Sequence, residues 1–158
     1  MKAASLSEIK EELKTIPQKQ LIEFCLRLAK YKKENKELLT YLLFEENDLE
    51  GYVRSAKEEI DVGFVEVNMT NAYFAKKTLR KVLRIANKRI RYTGSKTAEV
   101  EILLHYCTDF KGIPLKWDKS QVLINIYQNQ LKKIKTAIDS MHEDLQYDYL
   151  KELQRLQL

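Results

Sequence analysis

Apolar residues recur along this chain at spacings of three and four, the period of helices with one buried face. Ser5-Leu6-Ser7-Glu8 has the form of a capping box and opens a first helix with the stripe Leu6, Ile9, Leu13 and Ile16. Pro17 suits the first turn of a second helix, where its missing N–H costs nothing. Leu21, Phe24, Cys25, Leu28 and Tyr31 share one face of it. Asn35 is a suitable N-cap for a third helix reaching Glu46, with Leu38, Leu39, Leu42 and Leu43 turned inward. After Asn47-Asp48 a fourth helix carries Leu49, Val53, Ala56, Ile60, Phe64 and Val67 on one side, and Gly51 and Gly63 mark a kink or a close helix contact.

Thr70 or Asn71 caps a fifth helix whose inward set is Leu79, Val82, Leu83, Ala86 and Ile90. Gly94 and Ser95 end it and start the next. The sixth helix runs from about Lys96 to Phe110 with Val100, Leu103, Leu104 and Cys107 inward. A loop from Lys111 to Trp117 follows, and Asp118 with Gln121 offers a cap for the seventh helix. Ile124, Tyr127, Leu131, Ile134, Ile138, Met141 and Leu145 then repeat like a short coiled-coil seam. Asp148 and Glu152 interrupt it, the apolar set moves to Tyr149, Leu153 and Leu156, and Ser140 with Glu143 forms a capping pattern. The stretch 119–157 therefore reads as two helices broken near Ser140 rather than one.

The pattern predicts an all-α fold of seven or eight helices in antiparallel hairpins, packed as a bundle or as a short HEAT-like stack. A faint repeat supports the stack: Leu26-Arg27-Leu28-Ala29 resembles Leu83-Arg84-Ile85-Ala86. Four Gly and two Pro in 158 residues leave little turn material for strands, and the length suits one helical domain, 1–158.

Composition changes this picture little; charge changes it more. Cys25 and Cys107 form neither a disulfide framework nor a CxxC pair, and both fall in apolar runs, so buried free thiols in a reducing cytoplasm are expected. Charges at Lys2, Glu8, Lys10, Glu11 and Glu12 leave no apolar signal segment, and no apolar run approaches the roughly 20 residues of a membrane span. The chain holds 28 basic and 23 acidic residues. Nine of the cations lie between Val67 and Ala98, a stretch without one acid, so the remainder, 19 basic against 23 acidic, is net negative. Clustered charge of this kind makes a field that can hold an anionic partner. Lys77, Lys81, Arg84, Lys88 and Arg91, spaced 4, 3, 4, 3, are the candidate contacts for an anion or nucleic acid, with Tyr73, Phe74 and Tyr92 able to stack on bases. The preceding segment, Glu45 to Glu66, holds eight acids against two cations. It can neutralise part of the basic helix along a shared rim.

Glu101 and His105, at i and i+4, are a weak pair of metal-ligand candidates, since a site needs three or four ligands and the chain has only two histidines. His142-Glu143-Asp144 reads as the polar first turn of the last helix. There is no GxGxxG, P-loop, GxSxG or HExxH, so nothing assigns catalytic residues or a cofactor, and an enzyme is the less favoured reading. Trp117 and the many tyrosines fit the edges of a helical core better than an interface.

The segments 26–39 (LRLAKYKKENKELL), 87–92 (NKRIRY) and 99–104 (EVEILL) resemble a family of small uncharacterised helical proteins of Bacteroidetes-type bacteria. The resemblance covers most of the chain, implies a bacterial cytoplasmic setting and carries over no site residue. The expected role is a non-catalytic helical interaction module that presents the basic helix, about 71–91, to a protein or other anionic partner. A weak sequence-independent nucleic-acid binder and a metal-dependent protein using Glu101 and His105 are the alternatives. The chain is expected to be a monomer, or a homodimer through 124–145, with no membrane partner.

Overall fold

The structure is a computed structural model describing residues 2–157. These residues are all-helical, with eight α-helices and no strand among them. They cluster into two compact units, Met1–Phe44 and Glu45–Leu158.

The first unit holds α1 (Leu6–Thr15), α2 (Gln18–Tyr31) and α3 (Lys33–Thr40). The capping box at Ser5 and Glu8 forms as expected: the Glu8 backbone N–H donates to Ser5 Oγ, and the Ser5 N–H donates to Glu8 Oε2. Those bonds to Ser5 hold the Glu8 carboxyl below its usual range. Pro17 keeps Ile16 extended, which ends α1. α2 and α3 pack as a hairpin. Asn35 is not the cap of α3. Lys32 takes that place with no side-chain bond, and Asn35 instead donates from Nδ2 to the Leu28 carbonyl at 2.8 Å, tying the hairpin closed. The inward leucines do not materialise either. Leu38, Leu42 and Leu43 are exposed, and Tyr41 is the one buried residue described in this unit. Cys25 is exposed as well, because its face of α2 has no third helix over it.

The second unit has the conventional core. Its helices are α4 (Leu49–Val65), α5 (Ala72–Thr93), α6 (Lys96–Gly112), α7 (Gln121–Asp139) and α8 (Glu143–Leu156). α6 is the central rod and touches the other four. It is buried nearly all round, with Ala98, Val100, Ile102, Leu103, Leu104, Tyr106, Cys107 and Phe110 in the core. A helix whose polar side is narrowed to the Glu101–His105–Asp109 edge belongs in the middle of a bundle. Phe64, Tyr106, Phe110, Trp117 and Tyr127 form a chain of ring contacts with centroids 5.0–6.0 Å apart. The two fully buried hydroxyls are satisfied: Tyr106 donates to the Leu79 carbonyl at 3.0 Å, and Tyr127 to the Leu156 carbonyl at 2.7 Å. Burial raises both phenols well above their ordinary range.

Two of the expected caps differ. A 3-10 turn at Trp117–Lys119 replaces the Asp118 cap, and Ser120 precedes α7 without a side-chain bond. The chain does break at Ser140, but His142 caps α8 through Nδ1, which accepts from the Asp144 N–H. Of the α7 seam, Tyr127, Ile134 and Ile138 are buried where α7 meets α6 and α8, Ile124, Leu131 and Met141 are half-buried, and Leu145 is exposed. No helix is long and apolar enough to cross a membrane among the described residues.

Candidate anion-binding face and histidine cluster

The basic helix is built from both ends. Asn68 Oδ1 accepts from the backbone N–H groups of Thr70 and Asn71, shaping the approach. Asn71 Oδ1 then caps α5 by accepting from the Tyr73 N–H at 2.8 Å. Gly94, at φ 59°, ends the helix in the left-handed conformation that glycine adopts without strain. Ala75, Leu79, Val82 and Ala86 are fully buried on the inner side. Gly63 of α4 sits against them: a Cβ there would come within 2.6 Å of Val82 Cγ2, so α4 and α5 meet closely at this glycine.

This packing sorts the cations. On the flank facing α4, Lys81 pairs with Glu66 at 2.9 Å and Arg89 Nε with Glu59 at 2.8 Å. Burial alone would lower the Arg89 guanidinium's pKa, but its bonds to Glu59 and Tyr52 outweigh that and raise it. The acidic helix therefore neutralises one rim of the basic one, as the charge pattern suggested. Lys88 is half-buried. The outer face is different. Lys77, Arg80, Arg84 and Arg91 are exposed. Tyr73, Lys76, Lys77, Arg80, Leu83, Arg84 and Asn87 line a shallow concavity of about 570 Å³ that contains no acid. The Lys76 ammonium lies 4.9 Å from the centre of the Tyr73 ring.

Of the five predicted contacts, Lys77, Arg84 and Arg91 are thus on the open face, Lys81 belongs to the α4 rim, and Lys88 lies between. Arg80 and Lys76 complete the face and escape the 4, 3, 4, 3 spacing. Stepping 100° per residue from the Ala75–Leu79–Val82–Ala86 stripe puts Lys77, Arg84 and Arg91 within about 30° of the point opposite the core and Arg80 and Lys81 about 50° to either side of it, so spacing alone does not separate those two.

The histidine has other partners than Glu101. Glu101 accepts from Lys57 Nζ at 3.0 Å and from the Tyr149 hydroxyl at 3.2 Å. Burial, with this carboxylate adding to it, pushes the Tyr149 phenol up to about 12. His105 Nε2 instead lies 2.5 Å from Asp61 Oδ1 of α4 and 3.5 Å from Asp109 Oδ2, one turn along α6. One ligand atom from each of the three lies within 4.8 Å of the others. Asp109 Oδ2 is buried and accepts no hydrogen bond. Burial, reinforced by Asp61 and opposed by His105, pushes the Asp109 carboxyl up to about 6. One imidazole and two carboxylates make a mixed N/O set suited to zinc, manganese or iron(II), with positions left for water. His142 is exposed at the start of α8. Cys107 is buried in the core, which pushes its thiol up to about 12 and keeps it protonated and unreactive.

No protein-family model matches the chain, and no curated protein or solved structure is similar to it.

Proposed function

We propose that the protein is a non-catalytic helical interaction module whose outer α5 face holds an anionic partner. The observation that carries this reading is the division of the cations: Lys81 is matched by Glu66 at the end of α4 and Arg89 by Glu59 within it, while Lys77, Arg80 and Arg84 line an acid-free concavity. Internal charge balance accounts for the first pair and leaves the second set without a structural role. Two forked guanidiniums suit carboxylate or phosphate oxygens, and the lysines add point charge. The free thiols fit work in a reducing cytoplasm.

The test is fluorescence anisotropy with labelled duplex DNA and labelled polyglutamate at rising salt, on wild type and a Lys77→Glu, Arg80→Glu, Arg84→Glu variant. The module predicts salt-sensitive binding to at least one polyanion, lost in the variant. DNA binding would identify a sequence-independent nucleic-acid binder, and preference for polyglutamate an acidic protein partner. Binding to neither, even at low salt, would remove the basis of the proposal.

A second reading, a divalent-metal protein, is favoured by the convergence of Asp61, His105 and Asp109 from two helices. It moves the ligand set from Glu101 to the two aspartates. Titration calorimetry with zinc and manganese would show one site per chain, abolished by His105→Ala; no heat of binding would end this reading.

A further inference from the structure

Two aromatic rings stand in water at the start of the basic helix. Tyr73 is 68% exposed and Phe74 53%, whereas Tyr92 at the far end of α5 is half-buried. Both rings belong to the first turn, where Asn71 fixes the backbone by accepting from the Tyr73 N–H. The Phe74 ring meets the Tyr73 ring edge-on, with centroids 5.4 Å apart and planes at 81°. The Lys76 ammonium, 4.9 Å from the centre of the Tyr73 ring, is a second contact. These contacts orient the Tyr73 ring without burying it. An aromatic side chain stabilises a fold through the area it removes from water, so a ring this exposed contributes little to folding.

Tyr73 is also part of the cationic surface. It lines the acid-free concavity together with Lys76, Lys77, Arg80 and Arg84. Every residue of that lining belongs to α5, so one helix holds the whole groove. Stepping 100° per residue places Tyr73 in one row with Lys77, Arg84 and Arg91, about 27 Å long at 1.5 Å per residue. Asn87, the one side-chain amide in the lining, is turned back on the helix and donates from Nδ2 to the Leu83 carbonyl at 2.8 Å. The groove therefore offers charge and a planar ring rather than a set of donors and acceptors that could read a base sequence.

Charge alone does not choose among polyanions, but the ring does. An acidic peptide satisfies the cations with carboxylates and has no use for the ring. A duplex presents phosphates but keeps the faces of its bases stacked on one another. A single strand presents both phosphates and open base faces, and a cationic groove with an exposed aromatic ring is the arrangement that binds such strands with little sequence preference. We infer that the outer face of α5 holds a single-stranded nucleic acid, with its phosphates along Lys77, Arg80 and Arg84 and a base stacked on Tyr73. This rests on the anion-binding reading and narrows it to one class of partner. DNA and RNA strands share this chemistry, and the two are compared directly in the test.

Fluorescence anisotropy would be run at rising salt with labelled oligothymidylate, labelled oligouridylate, and a duplex, an abasic strand and polyglutamate of matched length. The proteins are wild type, Tyr73→Ala, Tyr73→Phe and the Lys77→Glu, Arg80→Glu, Arg84→Glu variant, each checked for native helicity by circular dichroism. At least one of the two single strands should bind more tightly than the duplex, the abasic strand and polyglutamate. Tyr73→Ala should weaken that single strand roughly 5- to 150-fold, the range for loss of one stacked base, and leave the abasic strand and the duplex unchanged. Its plot of log affinity against log salt should move down without a change of slope, because an uncharged ring releases no counterions. Tyr73→Phe keeps the ring and should bind as wild type does. Preference for the duplex or polyglutamate, an equal loss on the abasic strand, or undiminished single-strand binding by Tyr73→Ala would overturn this inference. The anion-binding reading would survive those results as long as the triple variant still loses its binding. Absence of binding to every polyanion would overturn both.

Discussion

The closeness of α4 and α5 at Gly63 determines which cations of α5 meet acids, and it can be measured as a coupling energy. Gly63→Ala adds one methyl group that would lie 2.6 Å from Val82 Cγ2. Replacing a helical glycine by alanine gains about 0.8–1 kcal/mol of propensity. Overpacking a filled site costs roughly 1–3 kcal/mol. The single variant should therefore be destabilised by roughly 0–2 kcal/mol where propensity alone would stabilise it. Val82 is fully buried. Truncating it to alanine removes two methyl groups at about 0.8 kcal/mol each plus a cavity contribution, roughly 2 kcal/mol or a little more. In the double variant the new methyl occupies space that Val82 vacated, so clash and cavity relieve each other. The double variant should then be more stable than the sum of the singles by about 1–3 kcal/mol. Urea denaturation followed by circular dichroism at constant m-value reads all four corners of the cycle. Additivity within about 0.5 kcal/mol would show that the two positions do not touch and would refute the packing from which the rims of α5 are derived.

Tyr127→Phe removes the hydroxyl that donates to the Leu156 carbonyl and should cost about 1 kcal/mol by the same assay; no loss would mean that the end of α8 is not fixed there. Cys107 should resist a thiol reagent at neutral pH until the chain unfolds, since burial holds its thiol at about 12. Cys25 should react in the native protein, since it is exposed; fast labelling of both thiols would contradict the core. The Asp109 carboxyl titrates at about 6 when folded, against 3.8 as its ordinary value. The folded state thus holds this proton more tightly, so the contribution is complete below about pH 4 and lost as pH rises through 6. Asp109→Asn should flatten the fall in melting temperature across that window, and an unchanged pH profile would rule out its protonation there.

The parts of the fold that read directly from sequence are those whose stripe has a neighbour in the same unit. Val53, Ala56, Ile60 and Phe64 of α4 and Leu79, Val82 and Ala86 of α5 are buried as their spacing predicts. The break at Ser140 follows from the shift of the apolar set. Leu38, Leu42 and Leu43 follow the same periodicity and are exposed, because amphipathic spacing shows that a helix needs a cover and not where the cover lies. The central place of α6 is hidden because its single predicted stripe is only part of a surface buried nearly all round. His105 has an acid one turn away in both directions, Glu101 and Asp109, so helical spacing cannot choose between them. Lys57 and Tyr149, remote in sequence, take Glu101, and Asp61 of α4 completes the cluster with Asp109. The open face of α5 lies between these cases. Its charge is plain in the sequence, while separating Arg80 from Lys81 requires knowing which side α4 occupies.

That separation offers the most direct test of the outward basic face. The slope of log affinity against log salt would be measured on whichever polyanion, duplex DNA or polyglutamate, binds the protein more tightly, for wild type, Arg80→Gln and Lys81→Gln. Each phosphate neutralised on duplex DNA contributes about −0.9 to this slope. Arg80 lies in the acid-free concavity, so Arg80→Gln should make the DNA slope shallower by about 1. Lys81 is matched by Glu66, so Lys81→Gln should leave the slope at its wild-type value. Equal slopes for Arg80→Gln and wild type, or the loss appearing in Lys81→Gln instead, would contradict the assignment of the binding face.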